Sequence, residues 1–168
     1  RLVSELIVPG WSEYIQPIGD QLFAVGVEEG RVTASLFDIS DKENPSLAHR
    51  VFMGKQGAYS WSEANYDEKA IGQLPSQNLF LIPFQSWEEG GNVKKVQVLE
   101  VTDTGLVTRG EITHRFQARR AAPDETGMRI FSISGNELRV TDFADRENPK
   151  PLAQMPLAWK VDRIHLSG

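Results

Sequence analysis

Leu36-Phe37-Asp38-Ile39-Ser40-Asp41-Lys42-Glu43-Asn44-Pro45 recurs as Val140-Thr141-Asp142-Phe143-Ala144-Asp145-Arg146-Glu147-Asn148-Pro149. Each copy runs through alternating apolar positions into an acidic turn closed by proline, and Leu47-Ala48 and Leu152-Ala153 follow. A weaker copy, Leu99-Glu100-Val101-Thr102-Asp103, precedes the last by about 42 residues, within the ~40–45-residue period of radially repeated sheets. Phe37 and Ile39 share one face of an extended chain, as do Leu99 and Val101, while Asp38, Glu100 and Asp142 take the other. The Asp-x-x-Asn-Pro turn reads as a carboxylate capping its own backbone, with proline ending the strand. A metal-binding role is the alternative, although the calcium-loop pattern of acids at one-residue spacing is missing.

Outward from these stretches, helical periodicity is nearly absent, and short apolar runs alternate with turn clusters every ~8–12 residues. Pro17-Ile18-Gly19-Asp20 precedes Leu22-Phe23-Ala24-Val25; Leu74-Pro75-Ser76-Gln77-Asn78 precedes Leu79-Phe80-Leu81-Ile82; Pro123-Asp124-Glu125-Thr126-Gly127 precedes Ile130-Phe131-Ser132-Ile133. Second turns follow at Glu28-Glu29-Gly30, Glu88-Glu89-Gly90-Gly91 and Gly135-Asn136. The pattern predicts an all-β, antiparallel β-propeller of about three four-stranded blades, near 13–54, 61–114 and 118–158. Residues 1–9 read as the outer strand of a preceding blade, with 2–8 its apolar stretch, and 159–168 as the start of a following one. Known propellers close with 4–8 blades, so this reads as part of a larger propeller, with a half-ring that pairs as a homodimer as the alternative.

Composition narrows the chemistry. A net charge of −5 with scattered Lys and Arg argues against nucleic acid as a partner. The absence of cysteine removes disulfides, thiolate metal sites and cysteine nucleophiles. No apolar run reaches the ~18 residues of a membrane-spanning helix. The chain begins at Arg1 rather than methionine, which reads as a processed form or a piece of a longer protein. No serine-nucleophile elbow, phosphate loop, dinucleotide fingerprint or His-Glu-x-x-His is present, and His49, His114 and His165 stand far apart.

The segment 54–70, Gly54 to Ala70, is longer than a connection between blades requires and is rich in Tyr, Trp, Ser, Asn and acids. Within it Tyr59, Trp61, Glu63, Tyr66, Asp67 and Lys69 are the candidate ligand-binding residues: aromatics to stack, charged groups to orient a ligand. The bland alternative is a hydrogen-bonded crossover with Tyr59 and Trp61 packed between blades. Trp87, beside Glu88-Glu89-Gly90-Gly91, is a second exposed-aromatic candidate or a plain hairpin tip.

Gly10-Trp-Ser-Glu-Tyr14-Ile-Gln-Pro-Ile-Gly19, Ser35-Leu-Phe-Asp-Ile-Ser-Asp41, Ala58-Tyr-Ser60, Ser62-Glu-Ala64 and Tyr66-Asp-x-Lys-Ala70 occur in order, followed by Leu81-Ile82-Pro83, Arg109-Gly-Glu-Ile112 and Ile133-Ser134. The set resembles the prokaryotic family of secreted proteins with a C-terminal β-propeller domain distantly related to WD repeats. One departure stands out: the family pattern has histidine where this chain has Glu68. The resemblance implies an exported protein, secreted or in the periplasm or cell envelope, and a larger parent propeller. It implies no activity.

These readings converge on a non-catalytic scaffold that binds a protein, peptide or envelope glycan on one face. The rival is a hydrolase or lyase at the channel mouth, with Glu63, Asp67 or Glu68 as acid or base and Lys69 or Arg119 holding an anionic substrate. A third reading is a structural module without other cofactors, stabilised by calcium at Asp38, Asp41 or their counterparts.

Overall fold

Alternating apolar residues separated by tight turns form antiparallel hairpins, and the computed structural model, which describes residues 3–157, has three such sheets in series. The first contains β1 (Trp11–Ile18), β2 (Gln21–Glu28), β3 (Arg31–Asp38) and β4 (Ser46–Phe52). The second contains β5 (Tyr59–Trp61), β6 (Gly72–Leu74), β7 (Leu79–Glu88), β8 (Gly91–Thr102) and β9 (Gly105–Thr113). The third contains β10 (Ala118–Pro123), β11 (Arg129–Ser134), β12 (Glu137–Asp142) and β13 (Lys150–Pro156). In each sheet the strands pair antiparallel in chain order, the arrangement of propeller blades. The fold class expected from the repeats is the one that forms.

The core lies between the sheets. Phe23, Val25 and Leu36 of the first pack against Phe80, Ile82, Phe84 and Leu99 of the second, and the Phe23 and Phe80 rings stack at 3.9 Å. Leu79, Leu81, Val96, Val98 and Ile112 turn the opposite way, onto Ala118, Ala121, Ile130 and Phe143 of the third. The middle sheet is therefore buried on both faces, which is why β7 reads as a nearly continuous apolar run instead of a clean alternation.

The repeated acidic turns are backbone caps. Asp41 accepts the Glu43 N–H and the Asn44 side-chain amide, both at 2.9 Å, and Asp145 repeats the pattern with Glu147 and Asn148 at 3.1 Å. The second copy also joins two blades. Arg146 donates to Glu100 at 2.5 Å, Arg109 to Glu147 at 2.5 Å, and the Gly110 N–H to the Arg146 carbonyl at 2.7 Å. Glu100, on the face opposite Leu99 and Val101, thus faces the neighbouring blade.

Two expectations need correction. The middle sheet has five strands rather than four, because its inner strand is split into β5 and β6, both paired with β7. Residues 3–8 form no strand. Ser4 Oγ donates to the Lys42 carbonyl at 2.5 Å, which sets the segment beside the acidic turn of the first sheet; the equivalent turn of the third sheet receives the Gly110 N–H of β9 at its Arg146 carbonyl. A ladder needs a pairing strand alongside, and among the described residues none reaches this segment. The expected strand start at 159–168 lies outside the described residues.

Candidate functional site

The segment 54–70 is not one long connection. The turn between the first two sheets ends before Tyr59, where β5 already pairs with β7 in the register Tyr59↔Trp87, Ser60↔Ser86 and Trp61↔Gln85. The extra residues, 62–71, bulge out of the middle of the inner strand before pairing resumes at Gly72↔Leu81. Polar side chains hold this insertion by its ends. Ser62 Oγ donates to the Pro83 carbonyl at 2.5 Å and accepts the Ala64 N–H at 3.0 Å, capping a single 3-10 turn at Glu63–Asn65. Asp67 accepts the Lys69 N–H at 3.0 Å and caps a second turn at Glu68–Ala70. Ala64, Ala70 and Ile71 anchor the insertion in the core between the first two sheets.

Strand alternation then sets which way the candidate residues face. Ser60 is buried, donating to the Met53 carbonyl and accepting from the Val32 N–H, both at 2.8 Å. Tyr59 and Trp61 take the opposite face; Trp61 borders the third sheet, while the edge of the Tyr59 ring lies against Gly30 in the β2–β3 turn of the first. Trp61 stacks on Tyr66 with centroids 6.1 Å apart and planes 27° apart, and Tyr59 meets Trp87 across the ladder at 5.4 Å. Tyr59, Tyr66 and Trp87 remain 55%, 78% and 43% exposed.

The charged candidates are already paired. Glu63 receives both Nε and Nη2 of Arg119 at 3.1 Å, and Arg120 lies 3.2 Å from the same carboxylate. The Arg119 hydrogen bonds, with Arg120 adding to them against the opposing effect of burial, hold the Glu63 carboxyl below its ordinary range. Arg120 also donates to Asp67 at 2.6 Å. Lys69 is set apart: its backbone N–H caps Asp67 and its side chain is exposed. Trp61, Tyr66, Phe116, Glu63, Arg119 and Asn136 border an open cleft of about 770 Å³ between the second and third sheets. Asn136 is buried, and its Oδ1 has no protein partner.

A second polar group escaped the sequence reading. His114 Nδ1 lies 3.0 Å from Glu137 Oε1, and Nε2 lies 2.8 Å from Ser132 Oγ. The order serine–imidazole–carboxylate matches a nucleophile with its base and orienting acid. Ser132, His114 and Glu137 are, however, 1%, 4% and 2% exposed, so no substrate carbonyl reaches the hydroxyl. The group is a structural clamp: Glu137 also accepts the Arg115 N–H at 3.1 Å, Arg139 Nε at 3.1 Å and the Gln154 amide at 2.7 Å. His114 stands 18 positions from Ser132 and 23 from Glu137, and no local spacing announced the group.

Among the described residues no group of three or more His, Asp or Glu side chains is placed to hold a metal ion, and no helix is long and apolar enough to cross a membrane. The model of the beta propeller domain family matches residues 1–145. An uncharacterized protein of Methanocaldococcus jannaschii is 27% identical over 145 residues, covering 84% of this chain and 21% of its own length. An uncharacterized protein of Archaeoglobus fulgidus is 34% identical over 84 residues, covering 49% of this chain and 13% of its own. The chain thus spans a small part of the curated relatives it matches.

Proposed function

As this chain belongs to the beta propeller domain family, we propose that it is a non-catalytic binding scaffold, part of a larger propeller in an exported protein of the secreted or envelope class. Its ligand sits on the face built by the 62–71 insertion. The observation that carries this reading is the aromatic cleft of Trp61, Tyr66 and Phe116, bordered by an acid that stays ionised between two arginines. General acid catalysis needs a carboxyl shifted upward, toward working pH, and Glu63 is shifted the other way. A fixed, neutralised ion-pair rim around exposed aromatics instead suits recognition without turnover. The place of residues 3–8 against the first sheet supports the larger propeller, since they lie beside its acidic turn and β9 lies beside that of the third.

Equilibrium binding to peptides and envelope polysaccharides, with product formation followed in the same samples, tests this. The expected result is saturable binding weakened in Tyr66→Ala, with no product. Turnover that vanishes in Glu63→Gln would replace the scaffold by the hydrolase or lyase.

A further inference from the structure

Trp87 with Tyr59 and Trp61 with Tyr66 form two ring pairs in a row along the middle sheet. Tyr59 and Trp61 are two residues apart on a single strand, a step of about 7 Å on the same face. Trp87 extends the row across the ladder from Tyr59, and Tyr66 extends it from Trp61 through the inserted turn. Tyr59, Tyr66 and Trp87 are exposed and Trp61 is half-buried, and aromatic surface left open along one strand is a candidate binding surface. A strip of four rings is suited to a polymer, not to a single small molecule.

Three of the acids beside the rings are neutralised within the protein. Glu63 is paired with Arg119 and Arg120, Asp67 with Arg120, and Glu88 with Lys55 at 3.4 Å. Glu68 and Lys69, exposed neighbours of opposite sign, are outside these pairs. A charged ligand would have to break one of these pairs or meet Glu68 and Lys69 together, whose charges cancel. The rim also offers both kinds of polar partner, with acceptors on Glu63 and Asp67 and donors on Arg119 and Gln117. A hydroxyl donates and accepts at once and fits such a rim. A proline-rich peptide, short of N–H donors, uses only half of it.

On the premise of the binding face above, we propose that this row binds a neutral, linear glycan, with sugar rings stacked on Trp87, Tyr59, Trp61 and Tyr66 and hydroxyls directed to the Glu63–Arg119 rim. The test is titration of this chain, followed by tryptophan fluorescence and calorimetry, with mono-, tri- and hexasaccharides of glucose (β-1,4 and α-1,4), mannose and N-acetylglucosamine. Oligogalacturonate and a proline-rich decapeptide serve as comparisons. The expected result is saturable binding of one neutral series, tightening with chain length. Tyr59→Ala and Tyr66→Ala should each weaken it roughly tenfold, with unchanged melting temperatures because both side chains are largely exposed. Affinity confined to oligogalacturonate, or saccharide binding indifferent to both substitutions, overturns the proposal. Peptide binding that is lost in Tyr66→Ala, with no saccharide binding, overturns the glycan and leaves the binding face standing. Silence from every probe overturns both.

Discussion

Nδ1 of His114 lies 3.0 Å from Oε1 of Glu137, and both side chains are buried against the third sheet. Burial holds the imidazole below its ordinary pKa even though the Glu137 hydrogen bond pushes the other way. It is therefore neutral, with Nδ1–H donating to the carboxylate and Nε2 accepting from Ser132. Burial alone would raise the Glu137 carboxyl, but the Arg115 N–H, Arg139 and His114 together outweigh it, and the net shift is downward.

The pH dependence of stability follows from these signs. Below the ordinary histidine value of 6.5 the unfolded chain takes up a proton that folded His114 refuses. Its contribution is complete above 6.5 and declines as pH falls from there through the lowered folded value. Glu63, Glu100 and Glu137 all titrate below their ordinary 4.5, so their contributions are complete above 4.5 and are lost at lower pH. Urea midpoints measured from pH 8 to pH 3 should fall in two stages, and His114→Gln should remove only the upper one.

Glu137→Gln should cost about 3 kcal/mol in urea unfolding, since it strips the charge that matches Arg139 and turns an acceptor toward His114 into a possible clash of donors. Ser132→Ala should cost about 1–2 kcal/mol through the single hydrogen bond it removes. Losses below a few tenths of a kcal/mol in both variants would show that the clamp is ornamental.

Gly110 is required by close approach. A methyl group there would fall inside the van der Waals envelope of the Pro149 ring, 2.6 Å from its Cγ, and 3.0 Å from the Arg146 carbonyl oxygen. Gly110→Ala should therefore destabilise by about 1–3 kcal/mol by levering the third sheet's acidic turn off β9. Gly135→Ala, where a Cβ meets open space, should stay within about 0.5 kcal/mol of the parent. Thermal denaturation of the two variants side by side checks the contrast.

Asp41 and Asp145 spend their oxygens on neighbouring N–H groups, and those local bonds, Asn44 and Asn148 first, hold both carboxyls below their ordinary range. The melting temperature should be the same in excess calcium and in EDTA, and Asp145→Ala should lower it equally in both. A calcium-dependent rise that Asp41→Ala or Asp145→Ala abolishes would restore the metal reading of these turns.

The blades were legible because their signals are local. The Asp41 and Asp145 turns bond within three residues, and the hairpins after Pro17, Asn78 and Gly127 carry the residues their dihedrals need. Tyr59, Trp61 and Tyr66 were conspicuous in the sequence, but as members of a long connection; that Tyr59 and Trp61 lie on a strand follows only from pairing with β7, more than twenty residues away. Trp87 read as a separate hairpin tip until the register set it opposite Tyr59. Arg119 was a candidate anion holder, and the fold instead commits it to Glu63, 56 residues earlier.

By itself, then, the sequence determined an all-β chain of repeated antiparallel blades and the position of nearly every turn, because period-two burial and turn dihedrals are imposed over a few residues. The tertiary structure decided which side chains share a surface: the four-ring aromatic row, the Glu63–Arg119–Arg120–Asp67 rim and the His114–Glu137–Ser132 clamp. The rings meet within the middle sheet through its register and its insertion, whereas the rim and the clamp join neighbouring blades and depend on how one packs against the next. Spacing along the chain carries no record of either.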